Sequence, residues 1–65
     1  MNHDIGIAAG RVWTFLNEHG ASSPTKIEKE TGLMRSDLQR AIGWLAKEDK
    51  LLIETLGRTE VLSLK

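Results

Sequence analysis

The sequence predicts an α+β fold: three helices followed by a two-stranded antiparallel hairpin, in one domain covering residues 1–65. Three observations carry this. Apolar residues recur at helical spacing through residues 4–20 and again through residues 23–48. A Thr31-Gly32-Leu33 turn interrupts the second of these stretches. The tail LLIETLGRTEVLSLK then changes character, being rich in Leu and β-branched residues and broken once by Gly57-Arg58.

In the first helix Ile5, Ala8, Ala9, Val12 and Leu16 share one stripe, flanked by Trp13 and Phe15. Asp4 suits the positive end of its dipole, and His19 before Gly20 suits the other end. Gly6 and Gly10 each cost about 1 kcal/mol relative to Ala in a helix interior. Two roles stand for them: a loose helix start at Gly6, or space at Gly10 for a bulky neighbour such as Trp44 or a second subunit. Ala21-Ser22 is a connection long enough for a brief extended segment.

Ser23-Pro24 opens the second helix, with Ser as cap and Pro at the first helical position, where its missing N–H costs nothing. Lys26 stands where a reciprocal capping box needs Glu or Gln, so the cap is single. Ile27 is the main apolar residue of this helix. Gly32 stops it in a left-handed conformation, and Leu33 turns inward. The third helix keeps Leu38, Ala41, Ile42 and Leu45 on one stripe. Two helices meeting over a Gly-containing turn form a helix-turn-helix motif, whose second helix can enter a major groove.

For the tail, a two-residue turn with Gly first predicts a type II′ hairpin. That places Thr55 opposite Glu60, Glu54 opposite Val61, Ile53 opposite Leu62, Leu52 opposite Ser63 and Leu51 opposite Leu64. Alternation puts Leu51, Ile53, Leu62 and Leu64 on the core face. Leu52, Leu56 and Val61 fall on the other face, as ordinary surface or as part of a subunit contact.

The order of elements is that of a winged helix. The run I-x-K-E-T-G-L-M-R-S-D-L-Q-R-A-I-G-W-L-A-K-E, followed by L-L-I-E, resembles winged helix-turn-helix regulators of the multiple-antibiotic-resistance type. With A-G-R-V-W-T-F-L-N in the first helix, nearly the whole chain is similar to a family of small stand-alone bacterial winged-helix proteins of unassigned function. The regulator resemblance implies duplex DNA as partner, read by the third helix. Four positions depart from the regulator pattern. Glu28 replaces a small residue between the two helices, Met34 replaces a Ser or Thr cap, Gly43 lies within the third helix, and the hairpin tip is only Gly57-Arg58.

On the DNA reading, Arg35, Ser36, Gln39 and Arg40 lie near the start of the third helix, with Lys47 further along and Arg58 at the hairpin tip. Arg can pair bidentately with guanine and Gln with adenine, while Ser and Lys suit phosphates. Lys26 and Lys29 can touch the backbone. Asp37, Glu28 and Glu30 dilute the local charge. Nine basic and nine acidic side chains cancel overall, unlike the strongly basic balance of many nucleic-acid-binding domains.

The other reading is a protein-contact or self-assembly module. Sixty-five residues lie near the lower limit for a self-sufficient core, and there is no cysteine for disulfides or thiolate zinc sites. A homodimer is the remaining staple. Its expected interface is Trp44, Leu52, Leu56 and Val61; the alternative for Trp44 is that it and Trp13 both finish the core.

The chain is read as non-enzymatic. It shows no paired carboxylates in an apolar setting, no nucleophile beside a base and no glycine-rich phosphate loop. No cofactor is expected, and His3 with His19 make a poor metal set. No apolar run approaches the ~18 residues of a membrane span and no signal-peptide pattern opens the chain, so the expected setting is the cytoplasm.

Overall fold

The computed structural model describes residues 5–65. Five elements follow in order: α1 (Ile5–His19), α2 (Pro24–Thr31), α3 (Arg35–Lys47), β1 (Leu51–Leu56) and β2 (Thr59–Leu64). The expected roles of Asp4 and His3 lie outside the described residues.

The helix-turn-helix forms as the local chemistry dictates. The Ser23 hydroxyl accepts the Lys26 N–H at 3.2 Å, a single cap with Pro24 in the first helical turn. At the other end Gly32 has φ 75°, and its N–H closes on the Glu28 carbonyl at 3.0 Å. Only a residue without Cβ takes that conformation at little cost. Thr31 braces the turn: its hydroxyl donates to the Ile27 carbonyl at 2.6 Å and accepts the Leu33 N–H at 3.3 Å. Met34, the residue before α3, contributes no side-chain cap. That helix draws its stability from packing instead, burying Leu38, Ala41, Ile42 and Leu45 along one stripe.

The hairpin has the expected register, Leu51 to Leu64 through Thr55 to Glu60, with Leu56 facing Thr59 next to the turn. Gly57 has φ 65°, while Arg58 does not enter the left-handed region, as a turn with Gly first requires. The brief extended segment at Ser22 is also present. Its N–H donates to the Leu62 carbonyl at 2.9 Å, and the Leu62 N–H donates back at 2.8 Å. Two bonds thus tie the α1–α2 link to β2. The α3–β1 connection closes through Asp49, at φ 60°, whose side chain pairs with Lys65.

The core gathers Val12 and Leu16 of α1, Ile27 of α2, Leu38 and Leu45 of α3, and Leu51 and Leu62 of the hairpin. Leu33 and Leu64 pack against it, half-buried. Four expectations require correction. Phe15 is part of the core rather than a flank. Ile53 shares a face with Leu51 and Leu62 yet is 44% exposed, because the ribbon projects past the helices and only its base is covered. Trp13 and Trp44 do not finish the core: they are 40% and 48% exposed. Nor does Gly10 make room for a contacting indole, since no atom lies within 4 Å of where its Cβ would stand.

Leu62 is fully buried where the hairpin meets all three helices. Leu62→Ala is expected to cost about 2–5 kcal/mol in urea denaturation. Ile53→Ala, on the same face, should cost less than about 1 kcal/mol. Comparable losses at both sites would contradict this division of the ribbon.

Candidate nucleic-acid interface

The buried stripe of α3 fixes what its other side presents. Arg35, Ser36, Gln39, Arg40, Gly43 and Lys47 are all exposed. Arg35, Ser36, Gln39 and Arg40 fall within the first two turns. Lys47 lies twelve residues beyond Arg35, about 18 Å along the axis at 1.5 Å per residue. The expected set therefore divides into a cluster at the start of α3 and a remote lysine. Gly43 leaves a bare patch between them, with no atom within 4 Å of the place a Cβ would occupy.

Arg35 is not a free cation. Its Nε donates to Glu28 Oε2 at 3.3 Å and an η-nitrogen donates to Glu28 Oε1 at 3.0 Å, a two-pronged pair across the turn. The Glu28 hydrogen bond, and then its charge, raise the Arg35 guanidinium further above its already basic range. Both side chains are substantially exposed, so the pair orients Arg35 more than it stabilises the fold. Among the described residues Arg40, Lys47 and Arg58 make no ion pair.

Arg58 does reach this end of the molecule. Ser23, Pro24, Thr25, Arg35, Arg58, Thr59 and Glu60 line one open notch of about 450 Å³. It joins the start of α2, the start of α3 and the hairpin tip. Two guanidinium groups and three hydroxyl side chains suit anionic oxygens, while Glu60 sets a limit on the positive potential there.

The four expected contact residues occupy two separate surfaces. Leu52 and Leu56 are exposed on the outer face of the hairpin, with Val61 half-buried beside them. Trp44 instead faces a shallow groove of about 310 Å³, shared with Trp13, Gly6, Gly10, Thr14 and Lys50. Sequence reasoning set Gly10 near Trp44 but expected the space to be filled, so it missed an open groove. The signal for it was there, since Gly6, Gly10, Trp13 and Thr14 recur at spacings of four, three and one on α1. His19 sits at the end of α1 with its ring stacked on Phe15, centroids 4.4 Å apart.

Among the described residues no group of three or more His, Cys, Asp or Glu is placed to hold a metal ion. No helix among them is long and apolar enough to cross a membrane.

Residues 1–64 match the family model described as Winged helix-turn-helix domain (DUF2582). The uncharacterized protein MJ1608 of Methanocaldococcus jannaschii is 38% identical over 64 residues, which is 94% of this chain and 90% of that protein. The solution structure of BT2368 from Bacteroides thetaiotaomicron is similar at TM-score 0.85 and 32% identity, over 92% of this chain and 73% of that one. The Zalpha domain of Carassius auratus PKZ, solved in complex with Z-DNA, is similar at TM-score 0.83 over 97% of this chain and all of that one. At 22% identity that last likeness is one of fold alone. Matched over nearly its whole length and built in this order of helices and hairpin, the chain belongs to the winged helix-turn-helix domain family DUF2582.

Proposed function

We propose that this chain is a cytoplasmic, DNA-binding, transcription-regulator-like module that reads duplex DNA with α3. One observation carries the reading. The exposed start of α3 presents Arg35, Ser36, Gln39 and Arg40 together, and the notch at its side brings Arg58 of the hairpin tip to the same end. Arg40 and Gln39 have the donor and acceptor patterns that read base edges. Arg35, Ser36 and Arg58 suit the phosphates on either side, and Lys47 reaches the backbone further along. The PKZ Zalpha domain solved with Z-DNA lends support, since it carries a duplex ligand on the same fold.

The neutral balance of charge makes binding modest, and its phosphate contacts make it dependent on salt. Three cations on this side assigned to phosphates, Arg35, Lys47 and Arg58, allow about three phosphate contacts. At a slope near −0.9 per phosphate, affinity for a mixed-sequence duplex should fall roughly fortyfold between about 50 and 200 mM salt. Fluorescence anisotropy checks this, and binding that ignores salt contradicts it.

Arg40→Glu should lower affinity at least about tenfold with the helical circular dichroism unchanged, because a base-edge contact is worth about 1–3 kcal/mol. Glu28→Gln should act in the opposite direction. It releases Arg35 from a competing carboxylate and should tighten binding about two- to fivefold, while changing stability by less than about 1 kcal/mol. A chain on which both substitutions leave duplex affinity unchanged does not use this face.

A second reading is favoured by a different observation: Trp44, Leu52 and Leu56 are exposed, with Val61 beside the two leucines. On this reading the winged helix is a protein-contact module, with a second copy of the chain as the simplest partner. Here Leu52→Glu should abolish association through the outer hairpin, or Trp44→Ala association through the indole groove, as seen by sedimentation equilibrium. A chain that sediments only as a 7.2 kDa species at high concentration rules the homodimer out.

A further inference from the structure

The hairpin has one covered edge and one open edge. Next to a two-residue turn the flanking residues exchange both main-chain bonds, and bonded pairs then alternate along the ladder. Leu56 with Thr59, Glu54 with Val61 and Leu52 with Ser63 are therefore the bonded pairs. Leu51, Ile53 and Thr55 aim their N–H and C=O groups away from β2. The same parity turns Leu62 outward on β2, where it bonds Ser22 in both directions, at 2.9 and 2.8 Å. Nothing equivalent covers β1: the sheet among the described residues has two strands only.

Proteins normally blunt such an edge with proline, a bulge or several charges. The segment LLIETL has no proline, its register runs without a bulge, and Glu54 is its one charge. Its Leu52, Ile53 and Leu56 are 42%, 44% and 63% exposed. This is an apolar strand whose outer main-chain groups face no strand.

We propose that β1 pairs with β1 of a second copy, antiparallel about a two-fold axis at Ile53, so that one sheet runs through both subunits. The proposal rests on the self-association reading above and is independent of nucleic-acid binding. The occupant follows from the strand itself. Only Leu51, Ile53 and Thr55 present outward groups, so a two-fold pairing must set odd positions against odd ones. Centring on Ile53 sets Leu51 against the partner's Thr55 and gives the longest overlap, with about six main-chain hydrogen bonds. It also sets Glu54 against the partner's Leu52, with the partner's Lys50 on one diagonal and the partner's Glu54 on the other. The two Glu54–Lys50 diagonals outnumber the one between glutamates, so that the charges at the edge complement one another on balance. A stable interface takes about 800 Å² from each partner, which is less than a fifth of the 4485 Å² this chain exposes. The half-exposed Leu52, Ile53 and Leu56 are the apolar surface that such a contact would cover.

Sedimentation equilibrium of the full chain, with amide hydrogen exchange by NMR over a dilution series, tests this. The expected result is a dimer that dissociates on dilution, in which the Ile53 and Thr55 amides are protected and become unprotected in the monomer. Ile53→Pro removes an edge donor and leaves the β1–β2 bonds intact, so it should give a folded monomer. A second arm does not depend on how that variant folds. Glu54→Lys and Lys50→Glu should each weaken the dimer about threefold or more, and the double reversal should restore it. A dimer whose Ile53 amide exchanges freely, or which ignores the charge reversals and is lost on Trp44→Ala, overturns edge pairing and leaves self-association standing. A chain that is monomeric at millimolar concentration overturns both.

Discussion

The exchange of two main-chain bonds between Ser22 and Leu62 holds the architecture together. A lone two-stranded hairpin is marginal in water. Here the ribbon is anchored at its base, because the backbone of Leu62 is tied to the α1–α2 link while its side chain is buried in the core. The anchor fixes position as well as stability. With β2 held at Leu62, the tip four residues away is carried to the start of α2 and α3, and Arg58 comes to line the same notch as Arg35. The geometry of the candidate interface depends on that attachment, together with the burial of Leu51 at the base of β1.

Much of this was legible in the sequence, and for identifiable reasons. Gly57 before Arg58 fixed the turn, and a two-residue turn leaves one register that keeps Leu51, Leu62 and Leu64 on one face. Gly32 fixed the end of α2, and the spacing of Leu38, Ala41, Ile42 and Leu45 fixed the buried side of α3. What was not legible depends on distances between elements. Alternation assigns Ile53 to the inner face but does not say how far the helices extend beneath the ribbon. Periodicity places Trp13 and Trp44 beside their stripes, and whether a side chain there is covered depends on how closely α1 and α3 approach. The Glu28–Arg35 pair joins residues of two different helices across a turn, so it depends on how α2 and α3 meet and not on the periodicity of either.

That pair also explains one departure from the regulator pattern. A small residue at position 28 would leave Arg35 available; Glu28 instead holds it in a fork and cancels part of its charge. Together with Glu60 in the notch, it lowers the positive charge of the reading face. Affinity on such a face rests on a few phosphate contacts, while the base-edge donors supply discrimination between sequences. The apolar surfaces lie elsewhere, on the outer hairpin and in the indole groove between α1 and α3. Neither includes Arg35, Ser36, Gln39 or Arg40, so the two proposed activities do not compete for the same side chains.

The most direct measurement is an NMR titration of the amide resonances with duplex DNA, at about 50 mM and then about 200 mM salt. Groove reading by α3 predicts shifts concentrated at Arg35 to Arg40 and at Gly57-Arg58, present at the lower salt and receding at the higher. Resonances that stay in place at both concentrations, or shifts confined to β1 and the surroundings of Trp44, would contradict it.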